Sequence, residues 1–116
     1  MTLMRLTIAV VAAGLVLAAT ALAAPTATGV TVTAGKPSEL KFTLSKTSVP
    51  AGAVTFTITN KGTSTHDFKI AGKKSALLRP GKTAKLVVVL KKGKAAYLCT
   101  LPGHAAAGMR GTITVK

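Results

Sequence analysis

Val54-Thr55-Phe56-Thr57-Ile58-Thr59 places a large apolar side chain at every second residue and threonine between them. Successive side chains of a strand point to opposite faces, so Val54, Phe56 and Ile58 enter a core while the threonines meet water. The same period runs outward along the chain. Leu40, Phe42 and Leu44 alternate with Lys41, Thr43 and Ser45, and Ile113 and Val115 alternate with Thr112 and Thr114. Leu86 to Leu90 is a continuous apolar run with three valines in succession, the pattern of a strand covered on both faces. Turn sequences separate the runs: Val49-Pro50-Ala51-Gly52, Asn60-Lys61-Gly62, Arg79-Pro80-Gly81-Lys82 and Lys91-Lys92-Gly93-Lys94. No stretch after residue 24 carries a helical period. The pattern predicts an all-β chain of seven or eight short antiparallel strands, folded as a β-sandwich.

The start of the chain reads differently. Met1 to Arg5 carries one positive charge, Leu6 to Leu22 is almost wholly Leu, Val, Ala and Ile, and Ala21-Leu22-Ala23 has the small-x-small pattern of a cleavage site. Residues 1–23 therefore read as a secretory signal cut after Ala23, which implies export to the periplasm or the cell exterior. The alternative is an uncleaved membrane anchor, since the apolar run is just long enough to span a bilayer. Residues 24–37, rich in Thr, Ala, Gly and Pro, read as a lead-in ending in an edge strand around Val30 and Val32. Residues 38–116 read as one domain. A domain of this size buries roughly 60–65% of its unfolded surface, enough for one core and no second.

Composition narrows the function. The 48% hydrophobic content argues against disorder, and a single cysteine excludes an internal disulfide or a Cys-rich metal cluster. Sixteen basic residues face two acids, Glu39 and Asp67, for a formal charge of +14. Only Arg5 of the basic residues precedes residue 24, so the remainder carries about +13. Nine of them lie between Lys69 and Lys94 with no acid among them. Such a run is either a solvated face or a steering surface for an acidic partner or an anionic membrane or envelope. It lacks interleaved aromatics, so nucleic-acid binding is not supported. Nor is there a paired carboxylate or a Ser/His/Asp set to suggest an enzyme.

After residue 24 the soft and borderline metal-ligating residues number four: His66, Cys99, His104 and Met109. Singly, each has a plain structural reading as a packed cysteine, a core methionine or a satisfied histidine. Together they form a pattern. Three of them fall within the eleven residues Cys99-Thr-Leu-Pro-Gly-His104-Ala-Ala-Ala-Gly-Met109, where Pro and Gly allow a tight turn between two strand-like runs. An exported protein also has reason to avoid a free thiol, which oxidises or cross-links. His66 precedes Phe68 and Ile70 at two-residue steps, so strand parity turns it inward with them and turns Asp67 outward. An inward histidine with no acid partner is costly unless something ligates it. Two imidazoles, a thiolate and a weakly held thioether are the trigonal donor set of blue copper.

The loop Tyr97-Leu-Cys99, Pro102-Gly103-His104 and Gly108-Met109-Arg-Gly111 resembles the C-terminal copper loop of the cupredoxins. Val49-Pro-Ala-Gly52, Phe56, Asn60, Gly62 and His66-Asp-Phe68 resemble the upstream half of the same domain, so the likeness covers about residues 38–116. The Cys-x4-His-x4-Met spacing is similar to that of the rusticyanin, auracyanin and sulfocyanin branch. The resemblance implies a Greek-key β-sandwich with one type 1 copper ion held by His66, Cys99, His104 and Met109. It further implies a monomer that passes single electrons between redox partner proteins, with His104 as both ligand and electron exit. Thr100 stands where multicopper oxidases carry a bridging histidine, so oxidase activity is not implied. Two other readings stand beside the electron carrier: a copper-binding or delivery protein on the same ligands, and a metal-free basic Ig-like module for anionic envelope surfaces.

Overall fold

The computed structural model describes residue 9, residues 11–16 and residues 27–116. The cleavage site expected after Ala23 lies outside the described residues. No helix among the described residues is long and apolar enough to cross a membrane.

Nine strands form two facing sheets: β1 (Thr28–Ala34), β2 (Phe42–Leu44), β3 (Ser48–Val49), β4 (Gly52–Asn60), β5 (Lys69–Ile70), β6 (Lys73–Lys74), β7 (Thr83–Leu90), β8 (Gly93–Leu98) and β9 (Arg110–Val115). One sheet has the order β2-β1-β4-β7 and the other β3-β9-β8-β5-β6. Three strands span only two residues, which is why a count from sequence falls short of nine. The expectation of uniformly antiparallel strands is also corrected, because β1 runs parallel to β4 and β3 parallel to β9. Alternation of side chains is blind to the direction of the neighbouring strand.

Period two is obeyed where it was clearest. In β4 the residues Val54, Phe56, Ile58 and Asn60 are all buried, and the threonines between them are not. Burying a Val, Ile or Phe side chain is worth about 1.5–3 kcal/mol, so this strand is the main apolar contribution of its sheet. Val30, Val32, Val88 and Leu90 join it from the same sheet; Val49, Ile70, Ile113 and Val115 face it from the other. Phe68 packs at the centre of all the aromatic residues in the chain. Its ring lies 5.2 Å from Phe56, 5.4 Å from Phe42 edge-on and 5.4 Å from Tyr97 in a stacked pair.

Two strand readings are corrected by position in the sheet. β1 falls within the stretch read as a lead-in, and it lies between β2 and β4 rather than at an edge. β7, read as covered on both faces, is an edge strand with Val87 and Val89 exposed at 61% and 73%.

Candidate metal centre

The site lies at the end of the sandwich where β4 finishes. The parity that buries Val54, Phe56 and Ile58 also carries the Asn60 side chain inward, and there it organises the next loop. Its Nδ2 donates to the carbonyls of Ser64 and Leu78, each at 2.7 Å, and its Oδ1 accepts from Gly62 N at 2.9 Å. His66 then exchanges two backbone hydrogen bonds with Leu78, of 3.0 and 2.8 Å, which fixes the direction of its side chain. The second segment leaves β8 at Cys99, turns through residues 101–108 and returns into β9. Gly103 and Gly108, with φ of 80° and 114°, supply the left-handed conformations this turn requires. Met109 N donates to His104 O at 3.0 Å, and Cys99 N to Met109 O at 3.1 Å, so the three residues are laced together by backbone.

These two segments bring His66, Cys99 and His104 to one point. One donor atom from each lies within 4.8 Å of the others. The two Nδ1 atoms stand 3.2 Å apart, and Cys99 Sγ is 3.4 Å from His104 Nδ1. His66 and Cys99 are buried, while His104 is half-buried beneath the Leu101 to Ala107 turn. Met109 is wholly buried and packs with Cys99 and Ala34 in a small second core, to which Phe42 and Leu101 add.

Sequence reasoning missed the acid partner of His66. Glu39 Oε1 lies 2.8 Å from His66 Nε2. The same carboxylate accepts from Thr63 N at 2.9 Å and Ser64 N at 2.8 Å. These backbone bonds, Thr63 first, hold its pKa at about 2, with His66 contributing less. A carboxylate that stays ionised can only accept, so Nε2–H donates to it, and the neutral imidazole so held presents its Nδ1 lone pair toward Cys99 and His104. A metal-binding histidine is oriented in this way by its outer carboxylate. The signal was available in a chain with two acids: one of them, Asp67, is next in sequence to His66, which leaves Glu39 to partner an inward histidine.

Asp67 itself overturns the parity argument. It is buried, not turned out to solvent, because the chain leaving Cys99 covers it. Thr100 N donates to its Oδ1 at 2.6 Å and Thr100 Oγ1 to its Oδ2. This pair clamps the His66 segment to the Cys99 segment. Burial pushes the Cys99 thiol above its ordinary pKa, against backbone hydrogen bonds from Asp67 and Leu101 that pull it down.

The donor chemistry fits copper. Two imidazole nitrogens and a sulfur converge on one small volume, where they can share a cation. Imidazole with thiolate suits both oxidation states of copper. A family model for the cupredoxin-like domain matches residues 6–115, and the chain belongs to that family. No curated protein matches it. Among solved structures it is similar to auracyanin B, at 24% identity over 78% of this chain and 89% of that one, with a TM-score of 0.69. It is likewise similar to auracyanin A, a "blue" copper protein from the green thermophilic photosynthetic bacterium Chloroflexus aurantiacus (20% identity, 78% and 100% covered, TM-score 0.66). Rusticyanin from Thiobacillus ferrooxidans matches at 24% identity over 76% of each chain, with a TM-score of 0.66.

Proposed function

We propose that this protein is an exported single-electron carrier whose type 1 copper would be held by His66, Cys99 and His104, with the Met109 thioether as a weaker fourth donor. The observation that carries the reading is the convergence of three donors within 4.8 Å, with Glu39 presetting the tautomer of one of them. Bound copper would supply a centre that cycles between Cu(I) and Cu(II).

The chain's own residues supply everything else. The two sheets hold the donor segments at fixed separation, and the Asp67–Thr100 clamp resists their drift when charge changes. The second core of Ala34, Met109 and Leu101 keeps water from the sulfur side. His104, under exposed Pro102, Gly103, Ala106 and Ala107, is the ligand closest to solvent and the exit for electrons. Residues 1–23 act as the export signal, so the working protein lies in the periplasm or outside the cell. Its cationic surface steers it, as a monomer, toward redox proteins with acidic docking faces. The carboxylate–imidazole pair at the site, Glu39 with His66, is turned to orienting a metal-binding nitrogen, which supports a carrier and not an enzyme.

A visible spectrum after addition of Cu(II) tests this reading. Wild-type protein should turn intensely blue, Cys99→Ser should be colourless, and Met109→Ala should remain coloured with a displaced band. A colourless wild type would overturn the proposal. Slow electron self-exchange in a blue protein would favour copper storage or delivery on the same ligands.

A further inference from the structure

The two ends of the sandwich have opposite characters. Asn60 marks the metal end of β4, so Gly52 marks the far pole. The pairs Gly52 with Leu90, Gly93 with Val115 and Thr28 with Val54 place the β7–β8 turn, the end of β9 and the start of β1 together at that pole.

Here the surface combines exposed apolar side chains with unneutralised cations. On the outer face of β7 the alternation shows Lys85, Val87, Val89 and then Lys91, all exposed, with the valines bracketed by lysines. Beside Val89 lies a shallow groove of about 470 Å³, floored by Ala71, Val89 and Ala96 and rimmed by Lys91, Lys92 and Lys94. No carboxylate side chain pairs with these cations. Asp67 is buried and Glu39 is engaged at the metal centre, and among the described residues the single ion pair is Glu39 with His66. An apolar floor under a ring of ammonium groups suits an apolar body with an anionic head.

We propose that this pole docks on an anionic phospholipid bilayer, with Val87 and Val89 at the headgroup boundary and Lys91, Lys92 and Lys94 on lipid phosphates, while Lys85, opposite Thr57, stands back toward the metal end. An acidic protein would be matched by the lysines alone, whereas buried interface cores are poor in lysine and would gain little from this valine pair. Docked in this way, the molecule points His104 away from the bilayer. That orientation serves the electron-carrier reading and rests on it; the docking does not.

The test is lysine acetylation of the full chain, mapped by mass spectrometry with and without vesicles at about 0.15 M salt. On equimolar phosphatidylglycerol and phosphatidylcholine, Lys91, Lys92 and Lys94 should lose reactivity by about tenfold, while Lys41 and Lys61 at the metal end keep theirs. Phosphatidylcholine alone should protect far less. Lys91→Gln, Lys92→Gln and Lys94→Gln together should lower vesicle affinity on the order of a hundredfold, and Lys36→Gln, Lys41→Gln and Lys61→Gln together only a few-fold. Val87→Thr with Val89→Thr, which keeps β-propensity, should weaken the footprint without unfolding the strand. Equal losses in the two lysine triples would overturn the proposal in favour of generic charge attraction. So would protection centred on Lys41 and Lys61, or no protection at all. The same footprint from polyglutamate, and none from vesicles, would reassign the pole to an acidic protein. Lysine reactivity is read with or without copper, so failure here is distinct from failure of the copper reading.

Discussion

Replacing Glu39 by glutamine keeps the shape of the side chain and removes the charge that holds the proton on His66 Nε2. Outer-shell changes of this kind cost about 10–100-fold in metal affinity, so Glu39→Gln should weaken copper binding by that factor in a chelator competition while leaving the fold intact. Gly62 offers an independent approach to the same carboxylate. A Cβ built on it would stand 2.5 Å from Glu39 Oε1 and 2.7 Å from Oε2, so Gly62→Ala must push the carboxylate away. The two substitutions should therefore reproduce each other, and the double variant should lose little more than either alone. Additive losses would show that Gly62 acts through its backbone instead. The candidate donors were legible because few residue types can bind copper and the chain has few of them. Glu39 was missed, since a carboxylate twenty-seven residues before its partner leaves no periodicity to follow and only elimination between two acids points to it.

At the scale of the strand, Asn60 shows how one parity serves two purposes. It lies in phase with Val54, Phe56 and Ile58, and it closes the strand with an amide that satisfies two backbone groups of the loop leading to His66 and the carbonyl of Leu78 opposite. Leaving such groups unpaired costs about 1–3 kcal/mol each, so Asn60→Ala should lower stability by at least about 2 kcal/mol in urea and weaken copper binding with it. Unchanged stability would mean that water replaces the amide. The strands were legible because alternation is a local property of the chain. Their neighbours were not: nothing within Thr28–Ala34 reveals that β2 and β4 flank it, and nothing within Leu86–Leu90 reveals that one side of β7 is open. For the same reason parity predicted His66 correctly and failed for Asp67, where burial comes from a segment more than thirty residues away.

Across the whole molecule the dominant quantity is charge. Fifteen lysines and arginines follow residue 24, and the two acids are both engaged internally. Self-repulsion of this kind destabilises a compact state and is screened by salt. The melting temperature of the copper-free protein should thus rise between about 0.01 M and 0.5 M sodium chloride, as the Debye length falls from about 30 Å to a few ångströms. A flat or falling profile would show that the cations are too far apart to matter. The same excess charge was plain in the composition, but its division between the two poles was not, because that depends on which strand ends meet.

The aromatic cluster has an optical consequence. Tyr97 is the chain's one tyrosine, and there is no tryptophan. Its ring is stacked on Phe68, edge-on to Phe42 at 5.8 Å, and two residues from Cys99. Nearly all the ultraviolet emission of this molecule therefore arises from a single ring, packed among the phenylalanines of the core and a few bonds from Cys99. Loosening of the core and arrival of the metal both reach that ring, so the protein carries an internal fluorescent gauge of its folding and loading that needs no label.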